Sequence, residues 1–143
     1  MPQRRQVSHS IEEKFFPLVG IGASAGGLEA VQNLLKNLPS NTGMAFVLVQ
    51  HLDPKHESRF PDILARHTKM PVQEAKDDTA IESDHLYVIP ATASMVIKDG
   101  KLKLALRKET RGSPVVIDLF FSSLAREWKN KAAGFDRQRR WYI

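Results

Sequence analysis

Met44-Ala45-Phe46-Val47-Leu48-Val49 is an unbroken apolar run, and a strand made of it has no polar side to turn toward water. Such a strand must be covered on both faces, which points to a parallel sheet held between layers of helices. The flanking sequence agrees. Leu18-Val19-Gly20-Ile21-Gly22 reads as a strand that turns at glycines into a helix. On that helix Leu28, Val31, Leu34, Leu35 and Leu38 recur at helical spacing before Pro39-Ser40-Asn41 ends it. Phe60, Ile63, Leu64 and His67 mark a second amphipathic helix closed by Pro71, and Leu86-Tyr87-Val88-Ile89 reads as a strand stopped at Pro90. Two alternating segments flank Asp99-Gly100, a pair that accepts the positive φ angles of a type I′ turn, so a β-hairpin is expected over 95–104. After Pro114 a third helix carries Val116, Leu119, Phe120, Leu124 and Trp128 on one side. The expected fold class is α/β: a mostly parallel sheet with helices on both faces, a Rossmann-like three-layer arrangement.

A chain of 143 residues with 42% apolar and 26% charged residues is the size and composition of one globular domain. It has no cysteine, which excludes disulfides and thiolate metal sites, and no apolar run near the roughly 20 residues a membrane span needs. A cytoplasmic protein without membrane insertion is expected. Residues 1–15 are polar at their start, with Arg4 and Arg5, lack the apolar core of a secretory signal, and read as a flexible tail. The net charge of +5 is scattered except at Arg137, Arg139 and Arg140, and reads as solvated surface charge. Aromatic residues are not interleaved with Lys and Arg, so nucleic acid is not an expected partner.

The chemistry concentrates at the first turn. Gly22-Ala23-Ser24-Ala25-Gly26 is G-x-S-x-G between a strand and a helix, the arrangement that projects a serine from a tight bend. Its Oγ would stand at the C-terminal edge of the sheet, with the N–H groups of Ala25 and Gly26 at the helix start available to an oxyanion. The same residues satisfy a looser dinucleotide fingerprint through Gly20, Gly22 and Ala25. That reading wants an Asp or Glu at the end of the second strand, about 20 residues beyond the glycines, to hold the ribose hydroxyls. The strand ends instead in Gln50-His51. If the first two strands are parallel neighbours, His51 sits beside Ser24 as its general base.

Four segments in register carry a family resemblance: 16–27, 49–51, 85–91 and 118–125. Together they are similar to the catalytic domain of the protein-glutamate methylesterases, and most similar to the variety that precedes a receptor methyltransferase domain in one chain. The resemblance implies hydrolysis of glutamate γ-methyl esters on chemoreceptor helices, and in many members deamidation of glutamine. It implies no cofactor and no metal. Carried over residue by residue, Ser24 attacks the ester carbonyl and His51 moves the proton. Methylated chemoreceptor helices, and a methyltransferase, are the partners it implies.

The resemblance also implies an Asp that orients His51, in a Gly-x-Gly-x-Asp-Gly loop after the strand that follows the third helix. At that point the sequence departs, reading Gly134-Phe135-Asp136-Arg137-Gln138-Arg139-Arg140-Trp141-Tyr142-Ile143. The expectation is therefore a partial domain over 16–134, with C-terminal strands missing and a divergent basic tail over 135–143. Asp136, with no strand expected before it, is a poor replacement; Asp53 is too near His51 along the chain, and Asp118 belongs to a helix. An open sheet edge would follow, and with it a homo-oligomer or poor solubility. The alternative to an esterase is a catalytically impaired binding module.

Overall fold

β1 (Leu18–Ala23) and β2 (Ala45–Gln50) lie side by side in a computed structural model that describes residues 16–23, 28–50, 60–91, 93–106 and 113–136. They run parallel in unbroken register, from Leu18 opposite Ala45 to Ala23 opposite Gln50. β5 (Leu86–Val88) pairs with β2, β3 (Val72–Glu74) with β5, and β8 (Ala132–Asp136) with the other side of β1. The result is a five-stranded parallel sheet in the order β3-β5-β2-β1-β8.

Every residue of β2 is buried, as its apolar run requires. Phe46 and Leu48 pack with Val31 and Leu35 of α1 (Leu28–Lys36) and with Leu64 of α2 (Phe60–Ala65). Ala45, Val47 and Val49 point the other way, toward Val116, Phe120, Leu124 and Trp128 of α3 (Ser113–Trp128). The period-two alternation of a strand thus feeds two separate cores, and the three layers expected from the sequence are present. Among the described residues no helix is long and apolar enough to cross a membrane.

A second sheet covers part of the α3 side. β6 (Ala93–Lys98) and β7 (Lys101–Leu106) form the expected hairpin, longer than the sequence indicated, with β4 (Thr79–Ala80) antiparallel to β7. Asp99 and Gly100 have φ of 54° and 77°, the left-handed pair of a type I′ turn. The Ser123 hydroxyl fastens this sheet to α3 by accepting the Ile97 N–H at 2.9 Å while donating to the Phe120 carbonyl at 2.7 Å.

The structure departs from the sequence reading in several places. A strand does follow α3: Phe135 and Asp136, assigned to a tail, are the last two residues of β8. Residues 132–135 are small or apolar, and parallel pairing uses main-chain groups that any residue supplies, so no run of branched residues is needed. β1 is therefore paired on both sides, and the outer position on that side belongs to β8. Leu119 and Leu34, expected in the core, are 45% and 38% exposed. Each lies on a helix flank beyond the arc that meets the sheet. His67 falls after α2 rather than within it, its N–H donating to the Leu64 carbonyl in the closing turn.

α3 can sit close to the sheet because Gly20 has no side chain. A Cβ there would lie 2.9 Å from Leu124 Cδ2, 3.0 Å from Phe121 Cε1 and 3.2 Å from Phe120 Cε2. Gly20→Ala is expected to lose about 1–3 kcal/mol of stability in urea unfolding through overpacking; an unchanged midpoint would mean that α3 yields at no cost.

Tyr87, 1% exposed, carries β5 into the core, and its hydroxyl accepts the Glu82 N–H at 2.8 Å. Burial raises its pKa above the ordinary tyrosine value. With the folded-state value the higher one, the stability from the neutral phenol is complete below about pH 10 and declines as pH rises toward the folded pKa. Lys103, raised by its hydrogen bond to Asp78, adds a loss of the same sign. Tyr87→Phe should lose roughly 1 kcal/mol at pH 8 and show a shallower decline in stability between pH 9 and 11; parallel curves for the two proteins would remove Tyr87 from the alkaline transition.

Candidate active site

The polarity of the parallel sheet decides where chemistry can sit. The chain leaves β1 toward β2 and the strands beyond it, then returns through α3 to place β8 on the opposite side of β1. β1 is thus the topological switch point, where open α/β sheets hold ligands beyond the C-terminal ends of their strands. Three strand ends converge there. Ala23 is opposite Gln50, and Gly22 is opposite Asp136.

Ser24, Ala25, Gly26 and His51, the site residues expected from the sequence, lie outside the described residues. What the structure supplies is the frame that delivers the chain to them: Ala23 and Gln50 are partners in a parallel ladder, and Ser24 and His51 are the residues that follow each. Gln50 is only 3% exposed, so the end of β2 offers a buried neutral amide where a dinucleotide site needs a carboxylate. Gly20, one of the glycines of that fingerprint, has the packing role already described beneath α3.

Ser123, His85 and His67 are placed away from this edge or are already committed. Ser123 is 1% exposed with both its hydrogen bonds made inside the core. His85 precedes β5, at the opposite edge of the sheet, where its Nδ1 lies 2.7 Å from the Ser83 carbonyl and its ring stacks on Tyr87 at 6.0 Å. His67 lies between α2 and β3, again at the N-terminal edge.

Two further cavities flank the sheet. An apolar groove of about 570 Å³ runs along the α1 side of β1, with Val19, Ile21 and Ala23 as its floor and Leu34, Leu38 and Ala133 among its walls. A second cleft, of about 630 Å³ and mixed polarity, lies at the N-terminal edge between the loops that follow α1 and α2. Sequence reasoning missed the second one, because its lining comes from two segments some 25 to 30 residues apart.

The match to known proteins covers the same elements. The CheB methylesterase family model matches residues 19–135, from within β1 to within β8. A protein-glutamate methylesterase/protein-glutamine glutaminase of Pseudomonas aeruginosa is 35% identical over 118 residues, covering 82% of this chain and 35% of that protein. One from Mesorhizobium japonicum is 31% identical over 132 residues, covering 92% and 39%. The chain thus spans little more than a third of the length of these curated relatives. Among solved structures, the catalytic domain of Thermotoga maritima CheB methylesterase superposes with a TM-score of 0.71 at 25% identity, covering 85% of this chain and 66% of that one.

With a buried amide where the ribose carboxylate should be, NAD at about 1 mM is expected to leave the melting temperature unchanged. Binding at 100 times Kd would stabilise by about 2.7 kcal/mol, so a rise of several degrees would restore the dinucleotide reading.

Proposed function

The chain belongs to the CheB methylesterase family, and we propose that it carries the nucleophile and base of a site that hydrolyses glutamate γ-methyl esters on chemoreceptors. The glutamine amide named for its relatives would be a second substrate of the same site. Ser24 and His51 are the proposed catalytic residues, with Ala25 and Gly26 as oxyanion donors. A cytoplasmic location, and receptor helices as the partner, belong to the same proposal.

The observation that supports it is the parallel pairing of Ala23 with Gln50. Neighbouring strands are about 4.8 Å apart and one residue advances the chain by about 3.8 Å, so the Cα atoms of Ser24 and His51 are at most roughly 12 Å apart. A serine hydroxyl and a histidine ring meet when their Cα atoms come within about 10 Å, a separation that strands ending at the same edge allow. Ser24 Oγ would attack the ester carbonyl carbon as His51 accepts its proton, and the negative oxygen would rest against the Ala25 and Gly26 N–H groups. Collapse of that intermediate expels the methoxy group, which takes the proton from His51 and leaves as methanol. Water, deprotonated by His51, then cleaves the acyl-serine to give the glutamate carboxylate and free Ser24.

The Gly-x-Gly-x-Asp-Gly loop expected to orient His51 does not occur within residues 1–143; Asp136, dismissed from the sequence for want of a strand before it, is the last residue of β8 and lies opposite Gly22 at this edge. Residues 137–143 read Arg-Gln-Arg-Arg-Trp-Tyr-Ile and contain neither Asp nor Gly. Loss of the orienting carboxylate costs on the order of 10⁴ in turnover in a serine–histidine site. Where no carboxylate orients His51, the second reading is a module that binds its receptor and barely cleaves. Methanol release from a methylated receptor fragment separates the two. The esterase reading expects slow release that disappears in Ser24→Ala and His51→Gln, with both variants folded; equal release by all three folded proteins would reject it.

A further inference from the structure

We propose that the cleft at the N-terminal edge of the sheet is a docking site for an acidic polypeptide segment, separate from the edge that carries Ser24. Lys36, Arg66 and Lys69 line it with His67, and Ser40, Asn41 and Thr68 add polar groups; no carboxylate is among its lining residues. The cleft measures about 630 Å³ and is more open than enclosed, a form that suits an extended chain better than a small molecule.

The ordinary explanation for such cations is local pairing, and elsewhere in the chain that is what they do. Lys103 and Lys101 are both paired with Asp78. Among the described residues, Lys36, Arg66 and Lys69 make no ion pair, Asp62 one helical turn before Arg66 included. A second explanation is neutralisation of helix dipoles, since Lys36 ends α1 and Arg66 follows α2. Two helix C-termini present roughly half a negative charge each. Three full positive charges exceed that, so the cleft keeps a net positive potential.

The form of that potential selects the ligand. A single phosphate is held where N–H groups converge, at a helix N-terminus or a backbone nest. Here both helices present their carbonyl ends, which repel concentrated negative charge. Cations distributed around an open cleft fit carboxylates distributed along a chain, with the Asn41 side chain available to its main chain, and with the Thr68 hydroxyl, whose oxygen accepts the Met70 N–H at 3.1 Å, left to donate.

The test is fluorescence anisotropy of a labelled hexaglutamate peptide with the intact chain, at about 20 mM and at about 300 mM salt. Binding is expected at low salt and lost at high salt, as screening of exposed charges requires. Replacing all three cations, K36Q/R66Q/K69Q, should weaken binding about tenfold, the sum expected of three exposed ion pairs. K98Q/K129Q/K131Q removes the same charge at exposed positions elsewhere and should change binding less than about threefold. Backbone amide shifts of the unaltered chain, titrated with the peptide, should move at 36–41 and 66–69, which keeps the proposal testable if the triple variant misfolds. Equal weakening in both triple variants, or shifts located elsewhere, would reduce the effect to net charge and overturn the site. Inorganic phosphate or a single-stranded oligonucleotide binding the cleft more tightly than the peptide would overturn the choice of ligand. None of these readouts depends on ester hydrolysis, so they stand or fall apart from the esterase proposal.

Discussion

The contact of α3 with Gly20 governs the rest of the molecule. β1 is the strand on which the topology reverses, and it must hold β2 on one side, β8 on the other and a helix against its face. Phe120, Phe121 and Leu124 occupy the space that a Cβ at position 20 would need. Because interiors are packed at crystal-like density, a shift of α3 outward would open a gap along Leu18 and Val47 rather than compress anything. The same helix carries the Ser123 hydroxyl that secures β6 and the Trp128 indole that donates to the Phe16 carbonyl at 2.8 Å. One missing side chain thus lets a single helix fix the second sheet and the entry of the chain into β1.

The parts of this fold that were legible in the sequence are those whose residues have one use. The apolar run of β2 can only be a strand covered on both faces, and Asp99-Gly100 between alternating segments can hardly be anything but a tight hairpin turn. β8 was not legible. Ala132-Ala133-Gly134-Phe135-Asp136 has little intrinsic preference for a strand, and its pairing comes from β1 presenting a free row of main-chain groups at the place where α3 releases the chain. Lys129, with φ of 52°, makes that release. Leu34 and Leu119 show the converse: each satisfies helical spacing, but the arc a helix buries against a sheet is narrower than the apolar arc these helices carry.

The site divided along a similar line. G-x-S-x-G and Gln50-His51 could be found because catalysis at a parallel sheet edge uses residues that immediately follow strands, and strands were the readable elements. The glycines were ambiguous by themselves, since Gly20 suits a dinucleotide turn as well as a close helix; only the position of α3 shows that packing already requires it. The basic cleft left no local trace. Lys36 and the Arg66 to Lys69 segment look like scattered surface charge in sequence, and they converge only because α1 and α2 pack on the same face and end at the same edge.

That convergence gives the two edges different work. Six-residue strands separate the C-terminal edge from the N-terminal one by roughly 20 Å. At physiological ionic strength this is more than two Debye lengths, so the cations of the cleft do little to the charge of a histidine or an oxyanion at the far edge. A segment held by Lys36, Arg66 and Lys69 therefore neither blocks the serine edge nor shifts its proton chemistry. It acts by concentration: a substrate tethered there through a flexible stretch meets the catalytic edge at an effective concentration set by the tether, in the millimolar range for a short one. Raised occupancy of the serine–histidine site, not a change in its chemistry, is therefore the contribution that the cleft is able to make.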